Sequence, residues 1–110
     1  MEIPVTTVTN YTGGSLPSSA TGSGTSITIT MSASVTGNGT LENAFKAFKN
    51  GTEITVNATS ASGADVTLTL GTSVTSSDTV TAEYMPTSTD YLTDSSSNKS
   101  PPFTIYIVTQ

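Results

Sequence analysis

Two stretches of this chain alternate small hydroxyl side chains with aliphatic ones: Thr25-Ser26-Ile27-Thr28-Ile29-Thr30-Met31 and Asp65-Val66-Thr67-Leu68-Thr69-Leu70. A period of two sends successive side chains to opposite faces of an extended strand, so each run reads as a strand with one apolar and one hydroxyl face. An apolar sheet face has to be covered by a second layer, and short strands of this kind predict an all-β sandwich. The sequence has no His, Cys, Arg or Trp. It thus lacks the side chains that most often carry proton shuttling, thiol chemistry, phosphate clamping and aromatic stacking.

A length of 110 residues suits one domain with a single core. The formal net charge is -5, and the three lysines, Lys46, Lys49 and Lys99, form no cluster able to neutralise a phosphate backbone. Nucleic acid is therefore not expected as a partner. A mildly acidic, hydroxyl-rich surface fits an extracellular location. Without Cys there is no disulfide framework, so stability must come from the core, which suits a bacterial or phage protein better than a secreted animal domain. No apolar run approaches the ~18 residues of a membrane span, so membrane insertion is not expected. Met1-Glu2-Ile3-Pro4 lacks the basic start and apolar stretch of a signal peptide. The expectation is a module taken from a longer secreted chain with an added Met1; an intact virion component would look the same.

Ile3 to Thr9 alternates weakly and reads as an edge strand, since Pro4 cannot donate to a ladder. Residues 10–24, rich in Gly and Ser and broken by Pro17, read as a mobile loop or linker, with the packed domain beginning near Thr25 and running to residue 110. Gly37-Asn38-Gly39 marks a turn. In the segment 41–49, Leu41, Phe45 and Phe48 have helical spacing, with Thr40 as a cap and Glu42 and Lys46 as an i,i+4 pair. Yet Asn50-Gly51 followed by Thr52-Glu53-Ile54-Thr55-Val56 is a strong hairpin signal that wants a strand on both sides. The expectation is a helical turn over 41–44, then a strand over 45–49. Ser62-Gly63 marks another hairpin, Gly71 to Ser77 a pause, and Asp78 to Tyr84 a strand. A long polar loop from Pro86 to Pro102 leads to a last strand, Phe103 to Val108. The predicted core is Ile27, Ile29, Met31, Phe45, Ile54, Val56, Val66, Leu68, Leu70, Val80, Tyr84, Phe103, Ile105 and Ile107.

The succession Phe45, Asn50-Gly51, Ile54-Thr55-Val56, Gly63-Ala64-Asp65-Val66-Thr67-Leu68-Thr69-Leu70 and Asp78-Thr79-Val80-Thr81-Ala82-Glu83-Tyr84 resembles the bacterial immunoglobulin-like repeats of the SwmB type. Tyr84-Met85-Pro86, then Leu92-Thr93-Asp94-Ser95-Ser96-Ser97-Asn98 and Phe103, stand where those repeats have a Pro-containing loop, an Asp-x-x-Gly-Asn turn and a closing strand. The match covers roughly residues 25–110. It departs at Ser97, where the repeats have Gly, so a turn needing positive φ there must shift by a residue or carry strain. The resemblance implies an immunoglobulin-like β-sandwich of about seven strands, from a class repeated in large bacterial surface proteins as spacers or binding modules. It brings no catalytic residues.

Candidate ligands are few. Asp90, Asp94 and Asn98 share one polar loop, and Glu83 or Asp78 could approach from the adjacent strand; such oxygens suit Ca²⁺, though the spacing is not an EF-hand. Tyr91, with Asp90 beside it, is the candidate for stacking on a sugar. Tyr84 and Tyr106 read as core or cross-strand packing, and Tyr11 carries no stronger signal. Glu83 and Asp94 read as surface charge rather than a catalytic pair. The Asn-x-Ser/Thr sequons at Asn10, Asn38, Asn50, Asn57 and Asn98 are expected by chance in so Thr-rich a chain. The expectation is thus a non-enzymatic, cofactor-free module of a bacterial surface or adhesive protein, with neighbouring domains as its partners. The alternatives are a carbohydrate-binding module acting through the loop 86–102 and a virion structural or decoration protein.

Overall fold

The structure, a computed structural model, describes residues 5–7 and 15–110. The expectations placed on Ile3, Pro4, Asn10 and Tyr11 lie outside those residues. Among the described residues ten strands occur, in the order β1 (Val5–Thr7), β2 (Pro17–Met31), β3 (Thr36–Asn38), β4 (Phe45–Lys49), β5 (Thr52–Ile54), β6 (Val56–Ser62), β7 (Asp65–Val74), β8 (Val80–Tyr84), β9 (Tyr91–Thr93) and β10 (Phe103–Thr109). A single 3-10 turn, Leu41–Ala44, precedes β4, so the segment 41–49 is a helical turn followed by a strand.

The main sheet follows the order β5-β4-β8-β10-β2-β7-β6, with β1 paired to β10, while β3 and β9 form a separate pair. The path folds into two layers about one core. Phe45, Ala47, Val80, Ala82, Tyr84, Phe103, Ile105 and Ile107 from the first half join Ile27, Ile29, Met31, Val66, Leu68 and Leu70 from the second in one buried cluster. The two halves must therefore face each other, and the chain is an all-β sandwich. Twelve of the fourteen predicted core residues are buried, and Ile54 and Val56 pack against the cluster half-exposed. Ala20, Val35, Leu41, Val74 and Leu92 join it as well; each stands in a stretch whose polar or Gly-rich surroundings suggested no strand.

The largest correction concerns residues 15–24. They are not a linker: Pro17–Met31 is one run of strand conformation, and Ser15 and Ala20 are buried at 1% exposure. Fifteen extended residues would span ~50 Å, whereas the longest axis of the molecule is 38 Å, so β2 must double back. It does: the Ser32 amide donates to the Leu16 carbonyl at 2.6 Å and the Ser18 hydroxyl to the Thr30 carbonyl at 2.9 Å, joining the two ends of the run. Between them Gly24 has φ 58 and the ladder to β7 shifts register. The outgoing limb pairs antiparallel with β7, Ile27 opposite Leu68 and Ile29 opposite Val66, while the incoming limb runs parallel to β10, Thr21 opposite Val108. Ser and Gly suggested disorder because few of these side chains are buried; the limb is held through its backbone instead.

Other boundaries also move. Gly37 and Asn38 lie in β3 rather than in a turn, paired with Leu92 and Tyr91. Strand β7 continues through the expected pause to Val74. The β4–β5 hairpin forms as expected, with Lys49 opposite Thr52 and positive φ at both Asn50 (53) and Gly51 (86), the type I′ geometry that matches strand twist. The β6–β7 hairpin closes with Ser62 opposite Asp65.

Candidate functional site

The stretch 86–102 is less of a loop than its polarity suggested. Its middle forms β9, paired antiparallel with β3, and Leu92 on that strand is fully buried. The Leu92 amide donates to the Tyr84 hydroxyl at 2.8 Å. Tyr84 is itself fully buried, its ring centroid 5.0 Å from Phe45 and 5.1 Å from Phe103, residues that are its register partners on β4 and β10. Strand β9 is thus tied by one bond to an aromatic row in the core. The Leu92 carbonyl accepts from the Ser100 amide at 3.0 Å, which returns the chain to the sandwich.

Asp90, just before β9, is only 8% exposed. Its Oδ1 accepts the Thr40 amide at 2.7 Å, and its Oδ2 accepts Thr87 Oγ1 at 3.2 Å and Asn43 Nδ2 at 3.4 Å. Thr40 does not cap the 3-10 turn with its own side chain; its amide is satisfied by Asp90. The carboxylate therefore braces the loop before β9 against the connection from β3 to β4. Gly39 makes the close approach possible: it has φ 72, and a Cβ there would collide with Asp90 Oδ1 and the Thr89 carbonyl. The Thr40 amide holds the Asp90 carboxyl below its ordinary range, aided by Asn43 and Thr87 and opposed by burial.

Asp94, at the other end of β9, does the same for the following turn. Its Oδ1 accepts the amides of Ser96 and Asn98, both at 2.9 Å, and its Oδ2 accepts Asn98 Nδ2 at 3.2 Å. The Asn98 amide is the main cause of its lowered pKa. Ser97 inside this turn has φ 66, in the left-handed region that favours Gly, so the turn carries strain.

Asp78 forms a third brace of the same kind at the turn before β8. It accepts the Thr75 amide at 2.8 Å and Asn50 Nδ2 at 3.0 Å, and Lys49 Nζ stands 3.7 Å away. Its pKa is lowered first by the Thr75 amide and then by Asn50. The sequence carried a signal for two of these braces: Thr75-x-x-Asp78 and Thr87-x-x-Asp90 each place a hydroxyl on the carboxylate three residues later.

The expected ligand set is not brought together. Glu83 lies on the outward side of β8 between register partners Lys46 and Thr104, while Asp90 and Asp94 sit at opposite ends of β9, ~13 Å of extended chain apart. Among the described residues no group of three His, Cys, Asp or Glu side chains is placed to hold a metal ion. Asn98 is turned onto Asp94. Tyr91 is half-exposed, and Lys99 Nζ stands 4.4 Å from the centroid of its ring, a cation–π contact that covers one of the two faces a sugar would use. A general acid at neutral pH needs a raised pKa, and Asp78, Asp90 and Asp94 are all shifted the other way.

Tyr106, expected in the core or in cross-strand packing, is not in the core. Tyr106 on β10 is 41% exposed and faces outward, with Thr81 as its partner on β8 and Phe48 beyond it on β4. Alternation along each strand was the signal: Tyr106 falls between the buried Ile105 and Ile107.

Comparison with known proteins gave no match to a family model, to a curated protein or to a solved structure. Within the described residues no helix is long and apolar enough to cross a membrane.

Proposed function

We propose that this chain is a non-enzymatic immunoglobulin-like module that acts outside the cell, spacing or presenting neighbouring domains of a bacterial surface or adhesive protein. One observation carries the reading. The incoming limb of β2 runs parallel to β10, so the stretch from Ser15 onward enters at one pole and leaves beyond Thr109 at the other, while β1, antiparallel on the same strand, comes from the Thr109 side. With β1 off its own β10, such a body passes a chain straight through itself, which is what a spacer requires. The three braced carboxylates support a passive role, because their oxygens already accept from backbone amides and from Asn and Thr side chains. Two copies joined in series test it by small-angle scattering. An extended particle, with a maximum dimension near twice that of one copy and an unchanged melting temperature, is the expected result; a particle folded back on itself would overturn it.

A second reading, a glycan-binding module, draws on the row Phe48, Thr81 and Tyr106 rather than on the loop 86–102. Two aromatic residues two strands apart, ~10 Å, flank a hydroxyl on one sheet face. Alternate rings of an extended β-1,4-linked chain have about that separation. Loss of retention on an insoluble β-glucan in a Tyr106→Ala variant, from a parent that is retained, is what this reading requires.

A further inference from the structure

We infer that the edge of β10 from Phe103 to Ile105 is a docking seat for the N-terminal strand of a second copy of this chain, which exchanges with the chain's own β1. Strand β10 carries the core residues Phe103, Ile105 and Ile107 and is paired along one side by β8 from Phe103 to Ile107. On its other side the incoming limb of β2 holds Val108, Thr109 and the Gln110 amide, which donates to the Gly22 carbonyl at 3.0 Å. Among the described residues the remaining edge is closed by β1, antiparallel, with Val5 opposite Ile105, Thr6 opposite Thr104 and Thr7 opposite Phe103. Without β1, a strand rich in apolar residues would present unpaired amides and carbonyls, which is the template for strand addition.

The choice of a second copy as the occupant follows from the seat and from the connection. The segment that fits the seat in register belongs to this same sequence, and among the described residues β1 pairs with no strand other than β10. Seven residues, 8–14, separate Thr7 from Ser15, a reach of up to ~25 Å when extended. In the antiparallel pairing β1 runs toward the Phe103 end of β10, which is also the pole where the β2 limb begins. A copy whose β1 sits in its neighbour's seat therefore has its body at the receiving pole of that neighbour. The exchange needs no new interface, only the same ladder made between chains, and it is a low-cost route to association. Within one chain β1 competes at an effective concentration of ~1 mM, so the exchanged form gains at high protein concentration or when chains refold together. This inference does not depend on the spacer reading.

The chain has no cysteine of its own, which permits a direct test on the full-length protein. Antiparallel register partners have Cα atoms ~5 Å apart, within disulfide reach. The double variant Thr6→Cys/Thr104→Cys, oxidised when dilute, is expected to close within one chain and confirms the register; failure to close overturns the proposal at its base. The single variants Thr6→Cys and Thr104→Cys, mixed, unfolded, refolded at high concentration and then oxidised, can join position 6 to position 104 only between chains. Peptide mass spectrometry is expected to find that mixed bond well above the 6–6 and 104–104 bonds, with unmodified protein showing a concentration-dependent dimer by light scattering. Mixed bonds no more frequent than same-position bonds, in a protein whose double variant closes normally, overturn the exchange.

Discussion

Replacing Tyr84 with Phe removes the bond that ties β9 to the core. The substitution keeps the ring, and with it the contacts to Phe45 and Phe103, and deletes only the hydroxyl that accepts the Leu92 amide at 2.8 Å. Leu92 and Tyr84 are both fully buried, so no water replaces the lost acceptor. A buried donor left without its partner costs ~1–3 kcal/mol. At ~2 kcal/mol the melting temperature of a domain this size falls by ~8–16 °C. Urea titration at fixed pH gives the free energy, and amide exchange at Leu92 reports the site: exchange there should accelerate more than in β7 or β8. A loss below ~0.5 kcal/mol, the level of an ordinary surface change, together with unchanged exchange at Leu92, would refute the reasoning.

Leu68→Ala, which empties a fully buried site between β2 and β6, is expected to cost ~2–5 kcal/mol by denaturant titration. Gly39→Ala forces a Cβ into the Asp90 carboxylate and the Thr89 carbonyl at positive φ; conformational strain alone is ~1–2 kcal/mol, so a melting temperature within error of the parent would show that the brace is absent. Ser97→Gly relieves the φ of 66 and should raise stability by up to ~1 kcal/mol, the strain removed less the added chain entropy; a fall in urea midpoint would contradict this. The lowered pKa values of Asp78, Asp90 and Asp94, from an ordinary value of 3.8, mean that their braces stabilise the fold above that pH and are lost as pH falls through the folded values. The melting temperature should hold steady from pH 7 to about 5 and drop below about 4; a rise on acidification would run against the assigned sign.

The strands that the sequence announced most clearly are those with one buried and one hydroxyl face. Ile27, Ile29, Val66, Leu68, Val80 and Ile105 reach the core because a period of two leaves them no other side. The elements that escaped notice lack that pattern. The first limb of β2 buries only Pro17, Ala20 and Gly22 from Pro17 to Thr21 and the turn beyond, and its place is fixed by a parallel backbone ladder with β10, a long-range pairing that local composition does not encode. Strand β9 is three residues long with a single buried anchor, Leu92, whose partner Tyr84 reads as core on its own account. At the candidate site, the carboxylates Asp90 and Asp94 were legible as a cluster in one loop, but their direction was not. Whether Asp90 points outward to a ligand or inward to the Thr40 amide depends on Gly39 admitting a close approach fifty residues away in the chain.

That those carboxylates brace the fold rather than hold a ligand is tested most directly by thermal melts of the unmodified protein. The melts are run with EDTA, with millimolar Ca²⁺ and with a panel of soluble polysaccharides, since a ligand bound only by the folded state must raise the transition. Superimposable transitions under all conditions are the predicted result. A shift of several degrees with any one additive would contradict it, and would mean that the oxygens of Asp90 and Asp94, the ring of Tyr91 or the row of Phe48, Thr81 and Tyr106 serves a ligand.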